Sequence, residues 1–277
     1  MNSIPTFPLA KYIDLILNFF TDNFSFITKA ISEVTKIGLD SFETALLFLP
    51  PIVMILLITA GTYFITSRVV AILSFAGLLL IWNIGLWEAT MNTLSLVLAA
   101  TIIAVGIGLP LGILAALNNR ANKIVMPVLD FMQTMPAFVY LIPAIPFFGL
   151  GKVSAVFATV IFGMPPAIRL TSLGIRQVPA ELIEASDAFG TTWKQKLMKV
   201  QLPMAVPTIM AGINQTIMLS LSMVVIAAMI GAGGLGGEVL RAIQRFQPGK
   251  GFEAGLGVVI LAIILDRITQ NIGKKYK

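Results

Sequence analysis

The side chains that most often carry covalent or metal chemistry are missing: the sequence has no His and no Cys. Thiol nucleophiles, disulfide frameworks, imidazole metal sites and Ser-His-Asp triads are excluded with them. No carboxylates are paired for acid–base hydrolysis. The string GAGGLG at Gly231–Gly236 fits a dinucleotide fingerprint, with Glu253 downstream. It follows a long apolar run rather than a strand, so a closely packed or flexible turn is the expectation. No G-x-x-x-x-G-K-[S/T] loop is present, so the chain has no Walker-type phosphate cradle. What remains are polar residues inside apolar runs: Asp130, Gln133, Tyr140, Arg169, Asn214, Gln215, Ser220, Ser222, Asp266 and Arg267. Such groups are costly in a membrane, and they either serve function or tie helices together. Gln133, Met135, Phe138, Tyr140, Asn214 and Ser220 could line a solute pathway, or could simply pack and hydrogen-bond helices. Asp130 could pair with a Lys or Arg, and Asp266 with Arg267 suits the anchoring of a helix end. Gly108 and Gly112 form a small-xxx-small pair that marks helix packing.

Composition says what must position these residues. Of 277 residues 57% are hydrophobic and only 12% charged, against roughly 25% charged in a soluble domain. Lipid must therefore be much of the solvent, and the fold is an all-α polytopic membrane protein. The net charge of +6 is spread over short loops and the C-terminus, as topology signals are, and not gathered into a nucleic-acid patch. Runs near 20 apolar residues fall at 44–63, 69–87, 91–117, 126–150, 153–173, 205–230 and 253–272, which makes about seven spans. Pro136, Pro143, Pro146, Pro165 and Pro166 predict kinks or breaks in the fourth and fifth. Residues 1–43 are no span. Ile13, Ile16, Phe20, Phe24, Ile27, Ile31 and Val34 recur at helical spacing, which predicts an amphipathic helix broken near Asn23, in the interface or against the bundle. The chain thus divides into a leader at 1–43, a transmembrane domain at 44–272 with its core at 88–272, and a basic tail at 273–277. Arg120, Lys123, Arg176, the loop lysines and the tail belong in the cytoplasm, which puts the N-terminus outside. The loop at 231–252 falls outside as well, although it carries Arg241, Arg245 and Lys250.

The polar stretch from Pro179 to Pro203 is written as two short helices with a break at Gly190. Pro179 suits a first turn, and Glu181, Glu184 and Asp187 load the N-terminal half with acid, as the helix dipole favours. Leu182, Ala185 and Phe189 fall at i, i+3 and i+7, one narrow apolar face. Ala185 and Ala188 are small enough for close approach of a partner. Gly190 can take a left-handed cap, Thr191 or Thr192 can open the next helix, and Lys194, Lys196 and Lys199 crowd it. A loop this ordered between two spans is built to be held by another protein.

Here the residues resemble a known family. EASDAFG (184–190), nine residues and then VQLP (200–203) are similar to the loop signature of ATP-binding-cassette (ABC) importer permeases. Glu184, Ala185, Gly190, Leu202 and Pro203 match, while Ser186 and Val200 depart slightly. More narrowly, DFMQTMPAFVYLIPAIPFFGLG (130–151), MPPAIRLTSLGIRQVPAELIEASDAFG (164–190), GINQTIMLSLSMVVIAAMIGAGGLG (212–236), LDRITQNI (265–272) and the leader IPTFPLAKYID resemble the glycine betaine/proline betaine permeases. The resemblance implies a type I importer transmembrane domain, with no cofactor of its own and no enzyme activity. It implies a homodimer working with two ATPase subunits that hold ATP and Mg, and an extracytoplasmic betaine-binding protein. Glu181, Leu182, Glu184, Ala185, Ala188, Phe189 and Gly190 would then couple to the ATPase. The system would serve osmoprotection in a prokaryotic cell membrane. An ion-coupled secondary transporter, or a permease for another amino-acid-like solute, are the rival readings; the first calls for inverted repeats and a carboxylate pair that the sequence does not display.

Overall fold

In lipid, backbone N–H and C=O groups find no water, so a chain this apolar has to satisfy them within helices. The computed structural model describes residues 8–274, and no strand occurs among them. The first residues of the leader and the last lysines of the tail, at 1–7 and 275–277, lie outside the described residues. In chain order the helices are α1 (Leu9–Phe48), α2 (Pro51–Ile65), α3 (Arg68–Asn83), α4 (Trp87–Leu117), α5 (Asn119–Thr134), α6 (Leu141–Phe148), α7 (Lys152–Arg176), α8 (Ala180–Ala188), α9 (Trp193–Lys196), α10 (Leu202–Ile226), α11 (Gly234–Gln244) and α12 (Pro248–Lys274).

Of the two spans expected to kink or break, the fourth is broken at Pro136, between α5 and α6. The fifth is not: α7 runs through Pro165 and Pro166, both buried against its neighbours, which is how membrane helices tolerate proline. Among the described residues three helical segments, Trp87–Leu117, Lys152–Arg176 and Trp193–Ile230, are long and apolar enough to cross a membrane. That becomes five if α1 with α2, bent by 96°, and α5 with α6, bent by 111°, each count as one span. The apolar run at 69–87 yields the 16-residue α3, and the run at 253–272 lies in α12. The break expected near Asn23 is not there. α1 runs 40 residues unbroken, because the Asn23 amide donates to Phe19 O at 2.8 Å inside the helix and caps nothing. The bend comes instead at Leu49–Pro50, where consecutive prolines supply no N–H. The apolar face of α1 from Ile13 to Ile31 stays exposed on this chain, and the helix docks through its C-terminal part, where Leu39 is buried.

The core is a seam of small residues between α4, α7 and α10. A Cβ on Gly108 would stand 2.9 Å from the Ala167 Cβ, and one on Gly112 would stand 2.7 Å from Ile168 O. On the other side of α7, Gly163 faces Ser220 and Thr216, Gly174 faces Thr208 and Ala205, and Gly212 of α10 faces Pro166 O. The expected packing role of Gly108 and Gly112 is what the structure shows.

Hydrogen bonds tie each end. At one, Arg176 donates to Ala115 O (2.7 Å) and Asn119 Oδ1 (3.0 Å), which joins the α4–α5 junction to the end of α7. At the other, Lys152 pairs with Glu43 (2.5 Å) and Asp40 (3.8 Å), and Asn92 donates to Glu43 at 3.0 Å. Gly151 N bonds Ile230 O (2.9 Å) there, and Leu235 N bonds the Thr93 hydroxyl (2.8 Å). The glycine string is thus a tight turn: Gly231, Gly233 and Gly234 have φ of 87°, 80° and 65°. Gly236 leaves no room for a Cβ against Val225, 2.7 Å away.

Substituting Gly112 by Ala overpacks this seam, and overpacking costs about 1–3 kcal/mol. Gly106→Ala on the same helix meets nothing within 4 Å. Thermal unfolding in detergent should show the first variant several degrees less stable and the second unchanged or slightly raised; equal midpoints would show that the seam is not tight.

Candidate functional site

The elbow between α7 and α10 is ordered by local chemistry. α8 begins after Pro179, whose carbonyl accepts from Leu182 N at 3.1 Å. It ends at Phe189, and Gly190 follows at φ 70°, a left-handed position that suits glycine. Thr191 folds back, its N–H and hydroxyl both donating to Ser186 O, at 3.2 and 2.8 Å. Thr192 opens α9 with a capping box: its N–H donates to Gln195 Oε1 at 2.8 Å, while its hydroxyl accepts from Gln195 N. Lys196 reaches both Asp187 oxygens at 2.7 and 2.8 Å and pins α9 on α8. A π-helical turn, Leu197–Gln201, then runs into α10.

This elbow has an attached side and an open side. Leu197 is buried with Ile175 of α7 and Ala205 of α10, and Ile113, Ala116, Leu202 and Ile209 pack around them. The elbow is therefore packed on the ends of three core helices, α4, α7 and α10. The open side carries Glu181, Leu182, Glu184, Ala185, Ala188, Phe189 and Gly190, all exposed. Phe189 is 88% exposed. Sequence reading missed two neighbours, Trp193 and Met198, 62% and 63% exposed. The signal was a tryptophan set among lysines in a polar loop. Large apolar side chains bared on a rigid polar elbow mark a surface that a partner covers.

The intramembrane candidates separate. Gln133 and Phe138 are exposed and Met135 half-buried, all at the α5–α6 break. Tyr140 is buried and does not line a pathway. Its hydroxyl donates to Met132 O, the carbonyl that Pro136 has no N–H to serve, and its ring meets Phe162 edge-on at 5.6 Å. Ser220 is also buried, at the contact with Gly163, and has no hydrogen-bond partner among the described residues. Asn214 bonds α12, donating to Asp266 Oδ1 at 2.9 Å and accepting from the Thr269 hydroxyl. Beside it lies a cavity of ≈ 320 Å³ lined by Met210, Gln215, Gln270 and Gly273 among others. Asp266 also accepts from Gln270 at 2.7 Å and lies 4.0 Å from Arg267, so it is an interhelical hub more than an end anchor. Asp130 does find an arginine: Arg169 Nη2 stands 2.5 Å away.

Against known proteins, residues 108–277 match the family model described as "Binding-protein-dependent transport system inner membrane component". The glycine betaine/carnitine transport permease protein GbuB of Listeria monocytogenes is 53% identical, covering 100% of this chain and 99% of that protein. The glycine betaine transport system permease protein OpuAB of Bacillus subtilis is 50% identical, covering 100% and 98%. Among solved structures, an inward-facing form of the MetNI methionine ABC transporter superposes with a TM-score of 0.63 at 23% identity, over 67% of this chain and 93% of that one. That match bears on the fold, which is the helical one of ABC importer permeases. The chain belongs to the binding-protein-dependent transport system inner membrane components, the multi-pass permease subunits of ABC transporters, whose ATPase is a separate subunit.

Proposed function

We propose that this permease moves glycine betaine, or a closely related quaternary ammonium osmoprotectant, into a prokaryotic cell. The observation that carries the reading is identity of 50% or more along the whole chain to two permeases named for glycine betaine. The permease works as a homodimer with two ATPase subunits and an extracytoplasmic betaine-binding protein. ATP and Mg are bound by the ATPases, and this chain holds no cofactor. The N-terminus lies outside and the C-terminus in the cytoplasm, with the elbow on the cytoplasmic side among the basic loops.

In this mechanism α8 seats in a cleft of the ATPase, with Leu182, Ala185 and Phe189 as its packing face and Glu184 taking a basic or backbone donor. Glu181, Ala188 and Gly190 complete the contact, and the exposed Trp193 and Met198 widen it. Closure of the two ATPases on ATP carries both elbows together. Each elbow passes the displacement through Leu197 to Ile175 and Ala205, which tilts α7 and α10 and changes the side to which the pathway opens. Selectivity rests with the binding protein. Tight capture of a quaternary ammonium calls for an aromatic cage, whereas the rings here pack on one another, Phe148 on Phe157 at 4.0 Å and Tyr140 on Phe162.

Three measurements test this reading. In vesicles holding the complete complex, betaine uptake should need ATP and binding protein and ignore an imposed ion gradient; uptake driven by the gradient alone would refute it. Glu184→Lys or Gly190→Pro should leave an assembled complex that hydrolyses ATP while uptake falls about a hundredfold, as when a positioning contact is lost. Uptake at the unaltered rate would remove the elbow from the mechanism. Since the chain has no Cys, Lys194→Cys should react with an impermeant thiol reagent only from the cytoplasmic side, and reaction from outside would invert the topology.

A further inference from the structure

Helix α5 has two exposed faces of opposite character, and only one suits lipid. Ile124, Val128 and Phe131, 68%, 53% and 67% exposed, lie at i, i+4 and i+7 and form one apolar strip. Lys123, Asp130, Gln133 and Thr134 are exposed too. At i, i+7, i+10 and i+11 they fall on a neighbouring polar strip. Asp130 meets Arg169 of α7 at 2.5 Å, yet both side chains stay open, 64% and 38% exposed. Arg169 Nε, on the inner side of the guanidinium, is buried and has no partner among the described residues. Arg169 precedes by two turns the Arg176 that ties α7 to the α4–α5 junction, about 10 Å along the axis at 1.5 Å per residue. An open carboxylate and guanidinium at that depth are costly against hydrocarbon and stable beside water.

We infer that this strip lines the aqueous pathway, and that the Asp130–Arg169 pair is where a zwitterionic solute makes its charged contacts in passing. The guanidinium receives the solute's carboxylate, and Asp130 receives its quaternary ammonium. The assignment of a zwitterion rests on the betaine reading above. A solute that carries both charges close together exchanges with an existing ion pair and leaves neither protein charge bare, the outcome that makes a broken pair expensive. Because the solute must displace a good bond, it is held weakly, as passage requires. A pure cation or a pure anion would strand one partner.

The experiment uses the complete reconstituted complex without nucleotide, and single Cys variants are unambiguous because the chain has none. A negatively charged methanethiosulfonate should modify Asp130→Cys and Gln133→Cys about tenfold faster than Val128→Cys, since only an exposed thiolate reacts. Millimolar glycine betaine should slow the reaction at Gln133→Cys, a position outside the ion pair that keeps the test valid if Asp130→Cys does not assemble. Arg169→Gln should lower maximal uptake about tenfold while ATP hydrolysis and the half-saturating betaine concentration hold, the pattern of a step after capture. Full uptake by the apolar double variant Asp130→Leu/Arg169→Met would overturn the inference, because a pair that merely clips helices is replaceable by packing. Equal reaction of the two faces would overturn it as well. Uptake by the unaltered complex is measured first: if it takes up no betaine, the substrate reading falls, whereas a strip closed to the reagent in a complex that does take it up refutes this inference alone.

Discussion

Backbone-to-backbone approach at the α4–α7–α10 seam is the constraint on which the rest depends. Lipid tails are as apolar as the helices, so burial from water gives no drive to bring spans together, and contact distance decides association. Gly108 and Gly112 bring α4 against Ala167 and Ile168, and Gly163, Gly174 and Gly212 bring α7 against α10. With these three helices in close contact, the polar residues among them are confined to few arrangements. That is why Ser220 and Thr216 are buried at the α7–α10 contact.

The same seam makes the elbow useful. A push on α8 would dissipate if α8 hung on a loose loop. Thr191, Thr192, Gln195 and the Asp187–Lys196 pair fix α8 to α9, and Leu197 fixes the assembly to α7 and α10. The exposed Asp187–Lys196 pair adds little stability by itself, as surface pairs generally do. Its contribution is geometric, since it helps to set the angle between two short helices. The opposite end is tied differently. There Lys152 gathers Asp40 and Glu43 of α1, and Thr93 meets the turn at Leu235. The two ends are thus braced by separate polar clusters with the packed seam between them.

Much of this was legible in the sequence. The helical class followed from apolar runs without charge, the elbow from Pro179, Gly190 and the paired threonines, and the tight glycine turn from its place after a span. Local chemistry sets those features, so local reading finds them. What escaped was set at long range. Tyr140 read as a pathway residue, yet it fills the carbonyl left over by Pro136, a partnership visible only once α5 and α6 are seen to bend by 111°. Asp266 read as a helix-end charge, yet it joins α12 to Asn214, 52 residues earlier. The continuity of α1 was missed because Asn23, a frequent helix breaker, satisfies itself within the helix. Span number was the least legible feature, since Pro50, Pro51 and Pro136 turn apolar runs into bent pairs.

The α5–α6 break is where the seam would meet the pathway inferred above. A straight, uniformly apolar helix beside α7 would offer its neighbour no water-bearing face. Pro136 ends α5 early, so α5 keeps the amphipathic character of a surface helix while standing next to the core. Tyr140 keeps the bend closed from behind, and Arg169 reaches across to Asp130 in front. Arg169 belongs to α7 and Asp130 to α5, so a tilt of α7 would carry one charge and not the other. On the proposed mechanism, a displacement of the elbow would therefore act on the separation of these two charges. One continuous helix, α7, would then couple the elbow to a polar contact two turns away.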